Sequence, residues 1–310
     1  MLIMKKDYMA EELLEFNQDI LSSEAFDPRK ARFYHYTRIN NAKLILAKDK
    51  INCFFVSNIG SMNDLDEISN HEKEKDKVYA ISFCNSKSEN LPLWFLYGGI
   101  NGTGVKIGFS ADKMKRFLCD DMHVYKVGND GKIDESHELK HGVDFEVKFG
   151  WIYYADYYGK IKYRGKSYSM VNEKEFEKLA TNNFFIKRYS WNYEDEFRIV
   201  FIFNESVGSR IALRFDKEKY YKDKGIWVGF GPNYNDDKYE KVKDDFKSET
   251  GLLKKQMKRS KLRVNYNLLG INKEIILDEF GNYIDLFKSD EEKKNVWKII
   301  KSIAKEKGLR

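Results

Sequence analysis

Proline and cysteine are both scarce: the 310 residues hold three of each. With so few prolines, chain breaks fall to Gly, Asn, Asp and Ser instead. The cysteines, Cys53, Cys84 and Cys119, are odd in number and form no CxxC pair. That spacing suggests neither a disulfide framework nor a zinc knuckle, and best fits a reducing cytoplasm. No stretch approaches the ~20 apolar residues of a membrane span. The apolar run that opens the chain, Met1 to Met4, is too short for a signal peptide. Repeats and low-complexity segments are also missing. Lys and Arg exceed Asp and Glu by only 55 to 49, a net charge of +6, which permits a polyanionic partner without requiring one. What is abundant is apolar and aromatic: 42% hydrophobic residues and 15% Phe, Trp and Tyr specify a folded protein with a sizeable core. These features predict a soluble cytoplasmic protein.

Hydrophobic periodicity organises the chain. Met9, Leu13, Phe16 and Ile20 predict an amphipathic helix over 8–21, and Val296, Trp297, Ile300 and Ile303 a C-terminal one. Between them, strands are expected at Arg32–Thr37, Cys53–Ser57, Val78–Phe83, Gly102–Phe109, Phe145–Tyr154, Lys160–Arg164, Ile211–Phe215 and Ile226–Phe230, with two more at Ile275–Leu277 and Tyr283–Leu286. Helices are expected near Leu44–Ala47, capped by Thr37 or Asn40, at Leu91–Tyr97 with Pro92 in the first turn, and at 111–118, 173–185 and 236–258. Short strands with irregularly inserted helices make an α+β fold, mixed and mainly antiparallel. The expected division is an N-terminal helical segment, 1–30, one α+β domain, 31–287, and a packed C-terminal helix, 288–310.

The clearest strand lies in Trp191–Phe203. Alternation places Asp195, Phe197, Ile199, Phe201 and Phe203 on one side and Glu194, Glu196, Arg198, Val200 and Ile202 on the other. A strand that is apolar along most of both faces thus opens on two carboxylates and a guanidinium. His35 on an early strand, the Asn63-Asp64 loop with Glu67, and Trp94 with Tyr97 are the other positions that patterning explains poorly.

Two glycine pairs do not qualify as phosphate cradles. Gly102-Thr-Gly104 leads into a strand, whereas phosphate-binding loops lead into a helix, and Gly229-Phe-Gly-Pro232 reads as a turn. His137 and His141 stand four apart in a polar stretch that reads as a surface loop, with no third ligand in any motif.

His35-Tyr-Thr37, Ser57, Met62-Asn-Asp64 with Glu67, Ile81-Ser-Phe83, Trp94 with Tyr97, Gly104 through Phe109, and Lys187 with Trp191 and Glu194-Asp-Glu-Phe-Arg198 occur in an order that resembles a widespread bacterial family of uncharacterised domains. The resemblance spans about 32–232. The layout is similar to ADP-ribosyltransferases of toxin or phage-defence systems, which implies an ADP-ribosyltransferase-like core and NAD as substrate, with no metal. His35 then takes the early-strand position that binds NAD through its ribose. Glu196 takes the late-strand catalytic position, and Ser57 partly substitutes for a missing Ser-Thr-Ser strand. Tyr36 and Thr37 stand beside His35, and Trp94 or Tyr97 offers the nicotinamide a face. A fixed carboxylate stabilises the positive charge that develops on ribose as the nicotinamide bond breaks. Arg198 or Lys187 is assigned to the pyrophosphate or to keeping Glu196 ionised, and Glu194 to activating the acceptor. The acceptor implied is RNA, DNA or protein, with an antitoxin or regulatory partner possible and no membrane.

Two other function classes fit parts of the sequence. The cations Lys254, Lys255, Lys258, Arg259, Lys261 and Arg263, with Tyr266, suit a non-enzymatic nucleic-acid-binding or sensor module. The carboxylates Asp64, Asp66, Glu67, Glu194 and Glu196 suit a metal-dependent hydrolase or nuclease if the fold gathers them.

Overall fold

The structure, a computed structural model, describes residues 32–48, 52–62, 71–85, 89–98, 103–155, 161–163, 166–168, 184–215, 225–234 and 236–262. The helix expected over 8–21, residues 173–183 of the helix expected over 173–185, the strands expected beyond 263 and the C-terminal helix lie outside them, and Phe184 and Phe185 form a turn.

Fifteen strands are formed among the described residues: β1 Arg32–Thr37, β2 Cys53–Ser57, β3 Val78–Cys84, β4 Val105–Ser110, β5 His123–Val127, β6 Ile133–Leu139, β7 Phe145–Trp151, β8 Tyr153–Ala155, β9 Ile161–Tyr163, β10 Lys166–Tyr168, β11 Ile186–Arg188, β12 Glu196–Phe203, β13 Arg210–Arg214, β14 Ile226–Phe230 and β15 Met257–Arg259. The helices among them are α1 Ile39–Ile45, α2 Leu91–Leu96, α3 Ala111–Cys119 and α4 Asp236–Thr250. The protein is α+β, with mainly antiparallel sheets. A seven-stranded sheet runs β15-β14-β4-β1-β3-β12-β7, and two four-stranded sheets run β2-β13-β5-β6 and β10-β9-β8-β11. Parallel pairing joins β14 to β15 and β8 to β11.

Strand β12, next to the edge strand β7 of the seven-stranded sheet, pairs antiparallel with β3 on one side and β7 on the other. Its Phe197, Ile199, Phe201 and Phe203 enter the main core, as alternation requires, while Val200 and Ile202 pack with Ile59 and Val78 on the opposite face. The small second sheet closes over the large one through rings: Phe54 of β2 meets Phe83 of β3 at 6.1 Å and Phe109 of β4 at 6.2 Å. Phe117 of α3 and Phe215 complete that layer. Each fully buried ring of this kind contributes about 1.5–3 kcal/mol through the apolar surface it removes from water. Helix α3 is set by Ser110, whose side chain accepts from the Lys113 N–H at 3.4 Å.

Several elements depart from the sequence reading. Helix α4 ends at Thr250 rather than running on to 258, because Gly251 adopts φ 74° and its N–H closes on the Lys247 carbonyl at 2.9 Å. Met257 therefore pairs with Val228 as part of a strand instead of extending a helical stripe. The stretch that holds His137 is strand β6 at a sheet edge, not a loop. Arg38, not Thr37 or Asn40, occupies the N-cap of α1, with no side-chain cap. The strand expected over 145–154 divides at Ile152 into β7 and β8.

The main correction concerns the opening of β12. Glu194 ends a 3-10 turn, Tyr189–Glu194, and Asp195 takes φ 44° before the strand begins at Glu196. Glu194 and Asp195 therefore belong to neither strand face, and alternation holds only from Glu196 onward.

Candidate functional site

Along β3, Tyr79, Ile81 and Phe83 enter the main core, which leaves Ala80, Ser82 and Cys84 on the other face. Register sets Cys84 opposite Glu196, Ser82 opposite Arg198 and Ala80 opposite Val200. Small side chains on β3 thus make room for long charged ones on β12. A cleft of about 260 Å³ forms here, drawing walls from β1, β2, β3, α2, β11 and the turn before β12. His35, Ser57, Tyr97, Lys187, Glu194 and Glu196 all line it, as do Tyr36 and Arg198.

Glu196 is 3% exposed and its carboxylate is fully engaged. Arg198 grips it with Nε at 2.7 Å from Oε1 and Nη2 at 3.3 Å from Oε2. Lys187 Nζ lies 2.8 Å from Oε2, and the Ser82 hydroxyl donates to Oε1. Its backbone N–H donates to the Tyr154 hydroxyl at 2.9 Å, and parallel pairing of β11 with β8 sets Lys187 beside Tyr154. Burial pushes the Glu196 carboxyl up, but the Arg198 guanidinium and the Lys187 ammonium outweigh it and hold the group well below the usual carboxylate range. Glu196 is therefore ionised at neutral pH.

Glu194 shares the same ammonium, with Lys187 Nζ 2.8 Å from Oε2, and accepts from the Tyr97 hydroxyl at 2.6 Å on Oε1. Here burial dominates: the Glu194 pKa is raised, against the pull of Lys187 and with the push of Glu196. One cation between two carboxylates separates their proton affinities, the arrangement that lets one carboxyl stay ionised while its neighbour exchanges a proton. Lys187 also lies 5.5 Å from the centre of the Trp191 ring.

His35 Nδ1 is 3.1 Å from the Ser82 carbonyl, and the ring meets Phe54 edge-on at 5.3 Å. Burial lowers its pKa, partly opposed by that hydrogen bond, so the ring is neutral at pH 7. A carbonyl can only accept, so Nδ1 carries the proton and Nε2 is left as an acceptor. Ser82 thus touches both ends of the site: its carbonyl sets the tautomer of His35 and its hydroxyl orients Glu196.

Other residues singled out from the sequence are placed elsewhere. Trp94 is 0% exposed and packs edge-on against Tyr36 at 4.9 Å, in a cluster with Leu93 and Cys84 behind the cleft wall. Thr37 is buried and does not line the cleft. All three side-chain nitrogens of Arg198 are engaged within the protein, Nη1 on the Phe184 carbonyl at 2.8 Å. Asp64, Asp66 and Glu67 lie outside the described residues, and an ammonium stands where Glu194 and Glu196 converge. Among the described residues no three side chains of metal-ligating type are grouped. His137 is exposed beside Asp134, and His141 bridges to Phe145, so the two do not form a pair.

The basic segment follows α4 as a 3-10 turn and strand β15, not as a helix end. Lys254 pairs with Asp244 at 3.0 Å, and Arg259 donates to the Tyr234 carbonyl. Lys255, Lys258 and Lys261 are exposed, and Arg263 lies outside the described residues.

Sequence reasoning missed Ser82 and Tyr154 as parts of the site. For Ser82 a signal was present, since Ala80, Ser82 and Cys84 alternate as a small-residue face on an otherwise bulky strand. Nothing in the sequence marks Tyr154, whose role depends on the pairing of β8 with β11.

An α+β protein with a buried four-charge cluster at the mouth of strand β12 is the class that fold and site define. Residues 93–199 match the model of a family described as protein of unknown function (DUF2971). That span contains Tyr97, Lys187, Glu194, Glu196 and Arg198 and begins after His35 and Ser82. No curated protein and no solved structure matches the chain. Among the described residues no helix is long and apolar enough to cross a membrane.

Proposed function

We propose that the cleft cleaves the nicotinamide–ribose bond of NAD and transfers ADP-ribose to a macromolecule, as a toxin or anti-phage effector. The observation that carries this reading is the convergence of His35, Tyr97 and Glu196 on one cleft from three separate elements. The C1′–N bond breaks with its electron pair leaving on the nicotinamide ring nitrogen. Ionised Glu196 faces the positive charge that develops on the ribose, in a site where burial strengthens the interaction. His35 Nε2 accepts a hydrogen bond from a ribose hydroxyl. The acceptor nucleophile supplies the electron pair for the new C1′ bond, and its proton passes to Glu194, whose pKa burial raises above that of an ordinary carboxyl. Among the described residues Ser82 is the one neutral donor on the Glu196 carboxylate, so a ribose hydroxyl replaces it there without uncovering either cation.

Incubating the purified chain with NAD and with RNA, DNA or protein tests this. Nicotinamide release is expected from wild type and should fall by at least a hundredfold in Glu196→Gln, with far-UV circular dichroism showing that the variant is folded. Intact NAD across all three acceptors, for wild type as for variant, refutes the proposal.

A further inference from the structure

The described chain ends in a segment that joins the cleft wall to exposed positive charge. Lys255, Lys258 and Lys261 recur every third residue, are exposed, and make no ion pair among the described residues. Lys255 stands in the 3-10 turn and Lys258 in β15, so the outer two lie closer than the ~20 Å that six fully extended residues would span. The end of the segment is fixed by Glu89, which accepts from the Ser260 hydroxyl at 2.6 Å and from the Lys261 and Leu262 N–H groups at 2.9 and 3.2 Å. Leu262 packs on the cluster of Tyr36, Leu93 and Trp94, and Tyr36 and Leu93 also line the cleft. The lysine track therefore stops against the back of the site.

The cleft itself offers flat apolar surface and no unspent charge. Phe55 of β2 is 40% exposed, and Met62 and Trp191 are half-buried on the same lining. Lys187 and Arg198 are engaged by the two glutamates. An acidic acceptor side chain would find no uncommitted cation here, and a basic one would meet carboxylates already paired. A nucleobase needs neither, because it is uncharged and has a stacking face.

We propose that the acceptor is single-stranded nucleic acid, with phosphates on Lys255, Lys258 and Lys261 and a base drawn against Phe55 and Trp191. This rests on the NAD reading of the cleft. A nitrogen of the base bonds to ribose C1′ as the nicotinamide bond breaks, and the N–H proton it loses goes to Glu194. Single strands are preferred because a duplex must first unstack the base. Apolar walls give stacking with little sequence preference.

The test separates binding from chemistry. A fluorescent single-stranded oligonucleotide is titrated against the full chain without NAD, at 50 and 200 mM salt. Three phosphate contacts at a slope of about −0.7 each should weaken binding roughly 20-fold across that range. Lys255→Ala/Lys258→Ala/Lys261→Ala should raise Kd and flatten the salt dependence. Phe55→Ala should weaken binding about fivefold or more at either salt, as expected for losing one base–aromatic stack. No binding at 50 mM salt, or an unchanged slope in the triple variant, overturns the proposal. Nicotinamide release with ADP-ribose appearing on added protein and not on the oligonucleotide overturns it too, while the NAD reading stands. Salt-sensitive binding without nicotinamide release removes the transferase reading and leaves a nucleic-acid-binding surface.

Discussion

Replacing Lys187 by Met keeps an unbranched chain of similar length and removes the ammonium that two buried carboxylates share. Both contacts measure 2.8 Å, and Lys187, Glu194 and Glu196 are all buried. Removing one partner of a buried ion pair costs about 3–5 kcal/mol, because a charge is left uncompensated, and this is a large share of the ~5–15 kcal/mol that holds a typical protein folded. The pH dependence identifies the charge. Glu196 keeps Arg198 on both oxygens, whereas Glu194 keeps only the Tyr97 hydroxyl. In the variant Glu194 loses the strongest influence lowering its pKa, so the value, already raised by burial, rises further. Between 4.5, the ordinary value, and that raised value, the folded state binds a proton that the unfolded state does not. Stability must then fall as pH rises, by up to ~1.4 kcal/mol per pH unit. The deficit relative to wild type should be about 3–5 kcal/mol at pH 7 and smaller at pH 5. Urea unfolding followed by tryptophan fluorescence at pH 5, 6 and 7 measures it. Glu194→Gln added to Lys187→Met should recover part of the loss and flatten its pH dependence. An equal deficit at pH 5 and pH 7 would refute the argument, since the orphaned charge would not be Glu194.

Four further outcomes follow from burial and packing elsewhere in the chain. Burial of His35 means that its ring, followed by NMR, should titrate with a midpoint below 6.5, with stability also falling as pH drops through that window because the unfolded chain takes the proton first; a midpoint at or above 6.5 contradicts the buried, neutral ring. Trp94→Ala should cost about 3–5 kcal/mol in urea unfolding, as for any large core ring, and a loss below 1 kcal/mol would mean that Trp94 is not the packed core of its cluster. A Cβ on Gly104 would lie 2.2 Å from the Gly98 Cα, backbone against backbone, so Gly104→Ala should lose about 3 kcal/mol. Gly60→Ala, whose nearest neighbour would be 3.5 Å away, should stay within about 0.5 kcal/mol.

Strands with strong alternation were legible because apolar periodicity alone determines them. The register that sets Glu196 and Arg198 against the small face of β3 was not, since pairing partners depend on contacts far apart in the chain. The opening of β12 shows the limit well. Alternation assigned Glu194 to the face of Glu196, and the two do meet on one ammonium, but through a turn broken at Asp195, not through a shared strand face. Trp94 shows the converse. Its spacing from Tyr97 marks one helical turn, yet helix α2 directs the indole into the cluster behind the wall while Tyr97, at the C-cap, reaches Glu194. A helix five or six residues long is read easily; which of its residues faces a cleft depends on what packs behind it.

The charge cluster also explains why the cleft, and not the lysine segment, carries the proposed chemistry. Four formal charges, Glu194, Glu196, Lys187 and Arg198, cancel in pairs at the mouth of the most apolar strand. Desolvating them is expensive, and well-packed apolar residues of similar volume commonly serve stability as well or better. The remainder of β12 is such a surface, with Phe197, Ile199, Val200 and Phe201 all buried. Stability alone therefore gives no reason to place charges beside that core when the strand could begin as it continues. Chemistry does give a reason: a fixed, ionised carboxylate beside one of raised pKa, with a neutral histidine acceptor in the same cleft, is an arrangement that a core has no use for and a reacting glycosidic bond does.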